Sequence, residues 1–350
     1  MVSRIAALVV GSLLVVGCDA PAPRVESPPP ATGSSPRASS PASAPAGAPG
    51  VLEEHRFASP ALGVTKRYVV YVPGDYASSG ARYPVVYLLH GLGGNEDNWP
   101  KGGGVARAAD ELGLRALVVM PDGDAGFYVN GASSANRAAC LASPPPFARD
   151  EPPADYCVST PRYESYLAED LVDEIDARYR TIATREGRGI AGLSMGGFGA
   201  LVVSMRNLDK FSAAASTSGL VSLRYGGPRP YAGLASVETA EPPEWGKRLP
   251  GAIRDHMIGI FGSDPATWRA HDPVALAAGL EPGRLAVRID CGEEDDFGFE
   301  DQARHLHDVL GARGIRHEVA LSPGRHDFRY WRARLPEILL FMRTSLSPAQ

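Results

Sequence analysis

Gly192-Leu193-Ser194-Met195-Gly196 sets a serine between two glycines, behind a short apolar run (residues 190–193) and ahead of a segment that reads as a helix. That order suits a strand-to-helix turn too sharp for Cβ atoms at its flanks, with the serine hydroxyl projected and helix N–H groups facing it. A serine hydroxyl is a weak nucleophile until a base takes its proton. Of the eight histidines, His326 in Gly324-Arg325-His326-Asp327-Phe328 follows the final apolar run and precedes the final helical pattern, where a base belongs in this chain order. His305 and His307 read as a charged helix surface, His55 precedes the core, and His256 and His271 fall in an aperiodic stretch. Solvated or structural roles suffice for those five.

A carboxylate must come between Ser194 and His326 to orient the imidazole and stabilise it when charged. Glu293, Glu294, Asp295 and Asp296 all qualify by position, although the first acids belong to the turn after a strand. Charge developing on a substrate oxygen needs two N–H donors. Met195 N–H is one. His90-Gly91-Leu92-Gly93-Gly94 lets backbone approach a substrate, so Leu92 N–H is the other and His90 supports the loop. The same glycines make no phosphate cradle, because the lysine and hydroxyl of a P-loop are missing. The acids lack the ligand alternation of a calcium loop, and the four cysteines include no pair at the spacing zinc clusters favour. No metal or cofactor is expected.

The elements that must position these groups alternate. Residues 67–73 and 83–89 are β-branched and aromatic runs bounded by turn residues and read as strands. Residues 114–120 and 190–193 read as buried parallel strands, and 211–217, 285–291 and 317–321 as further strands of the same pattern. Tyr166, Leu167, Leu171, Ile175 and Tyr179 recur at helical spacing, and residues 300–310 and 331–344 read as later helices. Alternation predicts an α/β protein, a mostly parallel sheet covered by helices on both faces with ligands at the carboxyl ends of the strands. Residues 220–272, rich in Gly, Pro and Trp without clear periodicity, are expected as an irregular cap over the site.

A chain of 350 residues, 44% hydrophobic, accommodates one catalytic domain (51–346) after a leader. The formal charge of −5 comes from interspersed acids and bases, so nucleic acid is excluded as a partner. Arg4 followed by the apolar run 5–17 has the order of a secretory signal and is short for a membrane span. Val15-Val16-Gly17-Cys18 resembles the lipobox of bacterial lipoproteins, making Cys18 a lipid anchor; cleavage of an ordinary signal near Ala20 is the alternative. Residues 18–50 collapse to Pro, Ala, Ser and Gly and read as a disordered tether. Both readings export the chain, as a membrane-anchored lipoprotein or a secreted protein. An oxidising compartment lets Cys140 and Cys157 pair across a proline-rich excursion. Cys291 reads as a buried strand thiol.

Leu88-Leu-His-Gly-Leu-Gly-Gly94, Pro121-Asp-Gly123, Tyr163-Glu-Ser-Tyr166, Gly192-Leu-Ser-Met-Gly-Gly197, Cys291-Gly292 and His326-Asp-Phe-Arg-Tyr-Trp331 together resemble the esterase D and feruloyl esterase family. That family also includes S-formylglutathione hydrolases, mycolyltransferases and related carbohydrate esterases. The resemblance spans roughly residues 60–345 and keeps motif order, which is more specific than any one pentapeptide. It implies an α/β-hydrolase fold and a triad of Ser194, Asp295 and His326, with Asp296 as the alternative acid and oxyanion donors at Leu92 and Met195. The expected function is hydrolysis of carboxylic esters through an acyl-enzyme, on small-molecule or polysaccharide-linked feruloyl or acetyl esters. Acyl transfer of the mycolyltransferase type and a non-catalytic surface binding module on the same fold are the alternatives. The excursion 132–158 is longer than the family pattern, and the C-terminal motif disfavours glutathione thioesters.

Overall fold

The computed structural model describes residues 48–143, 147, 152–237 and 251–350. The expected signal (1–17), Cys18 and nearly all of the tether (18–50) lie outside the described residues. Eight strands form one sheet: β1 Val51–Ser59, β2 Val64–Val72, β3 Val85–Leu89, β4 Leu117–Pro121, β5 Arg188–Leu193, β6 Ala213–Thr217, β7 Ala286–Gly292 and β8 His317–Ser322, in the order β1-β2-β4-β3-β5-β6-β7-β8. The helices that bear on the site are α1 Val105–Glu111, α2 Leu171–Arg178, α3 Met195–Arg206, α4 Gly251–Phe261, α5 Pro265–Ala270, α6 Pro273–Ala278, α7 Phe299–Ala312 and α8 Phe328–Ser345. From β4 to β8 neighbouring strands are parallel; β2 runs antiparallel to both β1 and β4.

The central strands form because their residues can be covered on both sides. Every residue of β3, β4, β5 and β6 is buried, as expected of Val-, Leu- and Ala-rich parallel strands. Successive side chains point to opposite faces. Val85, Tyr87 and Leu89 pack with α2, α3 and α7, while Val86 and Leu88 pack with α1 and α8. The loops that leave the carboxyl ends of these strands are therefore held by two apolar layers.

Strand β1 was not expected, and His55, assigned to a segment before the core, lies within it. Alternating exposure marks β1 as an edge strand, and His55 Nε2 sits 2.8 Å from the Tyr179 hydroxyl Oη. The helical stretch expected near residue 166 runs from Tyr163 through a π-type turn, Tyr166–Asp170, into α2. The cap segment contains α4 and α5 among its loops.

His305 corrects the surface assignment. It is buried on α7, with Nδ1 3.2 Å from Ser222 Oγ and its ring against Tyr225 and Tyr231. Burial pushes its imidazole down to about 4. Helix periodicity gives the phase of α7 relative to the sheet but not the loop that covers its flank. His307 does remain exposed, its Nδ1 2.7 Å from His317 Nε2.

Candidate active site

Ser194 sits at the tip of β5 with φ 53° and ψ −118°, a strained conformation for a residue with a side chain. Its neighbours make the turn feasible. A Cβ on Gly192 would fall 2.4 Å from the Gly196 carbonyl, and one on Gly196 would fall 2.6 Å from the Leu89 and His90 carbonyl oxygens. Serine at a helix N-cap usually accepts a bond from its own helix, but Ser194 makes no such cap. Its Oγ lies 2.9 Å from His326 Nε2 instead.

His326 is held between β8 and α8. Asp327 caps α8 by accepting from Tyr330 N–H at 3.0 Å, which fixes the main chain one residue after the imidazole. The ring is met edge-on by Phe297, Phe299 and Trp331, with centroids 4.8, 5.5 and 5.0 Å away. Its Nδ1 lies 2.7 Å from Asp295 Oδ2. The carboxylate oxygen Oδ1 of Asp295 accepts from Phe297 N–H at 3.0 Å, so the acid is fixed by its own turn.

The two adjacent acids face different partners. Asp295 is buried against the imidazole, whereas Asp296 pairs with Arg325 and accepts from His326 N–H at 3.3 Å. The hydrogen bond from Arg325 holds the Asp296 carboxyl below the usual range. Cys291 is a buried thiol on β7, with Sγ 3.6 Å from Asp295 Oδ2. Burial, and then the Asp295 charge, push this thiol up, so it stays protonated as a donor to the carboxylate.

Leu92 and Met195 line the same cavity, of about 370 Å³, as Ser194 and His326. Met195 is the first residue of α3, where a helix has no internal acceptor for its N–H. Leu92 is placed by its predecessor. His90 Nε2 accepts from Gly123 N–H at 2.8 Å, so Nδ1 carries the proton and donates to Gly91 O at 2.8 Å. Much of the remaining wall is apolar: Phe127, Phe147, Leu220, Ile253, Met257 and Phe328. The cap segment thus contributes three of these residues, Leu220, Ile253 and Met257.

Cys140 and Cys157 form a disulfide. Beneath the excursion it closes lies a charged cluster that pattern reading missed. Lys66, fully buried on β2, donates from Nζ to Asp122 Oδ2 at 2.5 Å and to Asp124 Oδ1 at 2.8 Å, and Tyr163 O–H donates to Asp124 Oδ2 at 2.6 Å. Burial alone would raise Asp122, but the Lys66 charge outweighs it and holds that carboxyl well below its usual range. Burial and the Asp122 charge push Asp124 up to about 6. Asp122-Gly123-Asp124 after a strand was the available signal; Lys66, flanked by Thr65 and Arg67, gave none.

The eight-stranded sheet, its elbow and the loops at the carboxyl ends of its strands define an α/β-hydrolase fold. The chain belongs to the putative esterase family, whose pattern matches residues 59–342. An esterase of Mycobacterium tuberculosis is 32% identical over 295 residues, covering 79% of this chain and 55% of that protein. The chain thus spans about half the length of that curated relative. An S-formylglutathione hydrolase structure from Agrobacterium tumefaciens superposes with a TM-score of 0.63 at 21% identity, covering 85% of this chain and 96% of that one. A ferulic acid esterase structure superposes with a TM-score of 0.59 at 22% identity, covering 85% and 99%.

Proposed function

We propose that the chain is an exported serine esterase that cleaves carboxylic esters through an acyl-enzyme. The carrying observation is the continuous relay from Ser194 Oγ to His326 Nε2 and from His326 Nδ1 to Asp295, at 2.9 and 2.7 Å, on the wall of an aromatic cavity. Ser194 attacks the ester carbonyl as His326 takes its proton, and Asp295 holds the imidazole in the correct tautomer and stabilises its cation. Leu92 N–H and Met195 N–H receive the oxyanion. His326 then gives the proton to the departing alcohol. Water, deprotonated by the same imidazole, splits the acyl-enzyme and releases the acid.

The apolar wall supports an apolar acyl group. The ferulic acid esterase among its structural neighbours supports an aromatic acyl ester, and family analogy extends this to an acylated polysaccharide as the substrate class. The leader, Cys18 and the tether support display on a membrane by a lipid. Turnover of p-nitrophenyl acetate tests the chemistry: Ser194→Ala and His326→Ala should each lose at least about 10³-fold in kcat. Retained activity in either variant would remove this mechanism. Labelled palmitate should enter the wild-type chain in bacteria and not Cys18→Ala; equal labelling would remove the anchor.

A further inference from the structure

The Leu92 N–H assigned to the oxyanion belongs to the peptide whose carbonyl is Gly91 O, and a peptide is planar and trans, so fixing one end aims the other. That carbonyl accepts from His90 Nδ1–H at 2.8 Å and from Gly94 N–H at 2.9 Å. The two preceding carbonyls are held as well: Trp99 Nε1–H donates to Leu89 O at 2.9 Å, and Tyr128 O–H to His90 O at 3.2 Å. His90 donates from Nδ1 because its Nε2 is the acceptor of Gly123 N–H. The aim of Leu92 N–H thus depends on a glycine two residues beyond β4.

The loop that carries Gly123 does not hold itself. Asp124, Phe127 and Tyr128 adopt φ of 48°, 52° and 55°, a region that side chains disfavour and that persists only where the surroundings impose it. Two of the imposing contacts flank Gly123. Tyr166 O–H donates to Asp122 O at 3.0 Å, the other end of the peptide that presents Gly123 N–H, and Asp122 Oδ1 accepts from Asp124 N–H at 3.0 Å. The third contact is ionic. Lys66 lies near the start of β2, beside the point where Asp122 N–H donates to Arg67 O at 3.0 Å. Its Nζ reaches Asp122 Oδ2 at 2.5 Å and Asp124 Oδ1 at 2.8 Å. Lys66 and Asp122 are buried, an arrangement costly beside an apolar replacement, and the proton relay from Ser194 to Asp295 makes no use of it.

We propose that Lys66 is a positioning residue for the oxyanion site. Through Asp122 it holds the turn after β4, the turn presents Gly123 N–H to His90, and His90 in the resulting tautomer aims Leu92 N–H at the substrate oxygen; this rests on the esterase reading of Ser194. The bonding singles out Asp122 over Asp124. Asp122 accepts with both oxygens, from Nζ on one and from Asp124 N–H on the other, so an asparagine there turns its NH2 on a donor. Asp124 Oδ2 accepts from Tyr163 O–H, and a hydroxyl can rotate to accept from an amide instead. Either asparagine leaves one cation against one carboxylate.

Discrimination between oxygen and sulfur reads the aim of the two N–H donors. Sulfur accepts hydrogen bonds weakly, so the thionoester of p-nitrophenyl acetate, with C=S in place of C=O, gains little from donors that the acetate itself needs. Lys66→Met and Asp122→Asn, each in the full chain, should lower kcat/KM for the acetate about 10²-fold. They should also shrink the acetate-to-thionoester ratio of kcat/KM at least about tenfold, and Asp124→Asn should shrink it by less than about threefold. Nitrogen-15 NMR should show His90 as the Nδ1–H tautomer in the wild type and as a mixture of tautomers in Lys66→Met and Asp122→Asn. Asp122→Asn keeps the cluster balanced, so it serves where Lys66→Met fails to fold. A folded Asp122→Asn with the wild-type ratio and tautomer, or equal losses on both esters as a purely structural role would give, would overturn the positioning role and leave the esterase. No turnover of either ester by the wild type, with the His90 tautomer still set by Lys66 and Asp122, would remove the esterase reading and keep the brace on residues 90–92.

Discussion

One side of the sheet's carboxyl edge fixes atoms, while the other shapes a space. At the tips of β5, β7 and β8, Ser194, Asp295 and His326 sit on short connections: Phe297 N–H holds the Asp295 carboxylate, the Asp327 cap holds the main chain beside His326, and the sharp turn into α3 presents Ser194. Beyond β4 the chain instead enters a strained loop and a long excursion tied by Cys140–Cys157. Proton transfer tolerates little misplacement, so it is built on rigid elements. Loops carried by the same scaffold can change in length and composition without disturbing those elements.

The largest expected effect sharpens the first region from within. Asp295→Asn should lower kcat about 10²–10⁴-fold, because the imidazole loses the partner that sets its tautomer. Asp296→Asn should cost less than about tenfold, since that acid is exposed and held by Arg325. Steady-state kinetics on p-nitrophenyl acetate decides it, and a larger loss at Asp296 would exchange the roles of the two acids.

Stability should separate the regions in the opposite sense. The disulfide joins residues 17 apart in the excursion beyond β4, and a loop of that size is worth about 3 kcal/mol in chain entropy. Cys140→Ser with Cys157→Ser should lower the unfolding free energy by that order in urea. An unchanged urea midpoint would mean that the excursion contributes nothing to the folding unit.

A smaller effect concerns pH. Asp272 caps α6, accepting from Val274 and Leu223 N–H at 3.2 Å, and burial pushes it up to about 7. The folded chain therefore holds that proton where the unfolded chain has lost it. Stability falls as pH rises from the usual carboxylate range to about 7, then levels. Asp272→Asn keeps an acceptor oxygen without the charge, so it should gain about 1–2 kcal/mol at pH 8 and nothing near pH 4. Urea unfolding at both values checks this; a gain independent of pH would contradict it.

The same contrast explains what was legible in the sequence. Ser194 and His326 could be read because a sharp turn needs glycines beside the serine and because the parallel strands announce themselves as continuous apolar runs. Choosing between Asp295 and Asp296 needed more than local pattern, since both follow β7 and only the turn geometry decides which faces the imidazole. Strand β1 was missed because Glu53, Glu54, His55 and Arg56 run consecutively through it and break the apolar alternation that marks a strand. Lys66 was illegible for a related reason: a lysine between Thr65 and Arg67 has the pattern of a solvated strand, and its burial depends on two carboxylates more than fifty residues away. His305 is buried by a distant loop rather than by its helix.

The central claim is that Ser194 is an activated nucleophile, and covalent labelling reads it without any assumption about substrate. A fluorophosphonate probe followed by peptide mass spectrometry should place one phosphonyl adduct on Ser194 in the wild type, with labelling slowed at least about 10³-fold in His326→Ala. An unlabelled protein, or an adduct on another residue with Ser194 unmodified, would contradict the account.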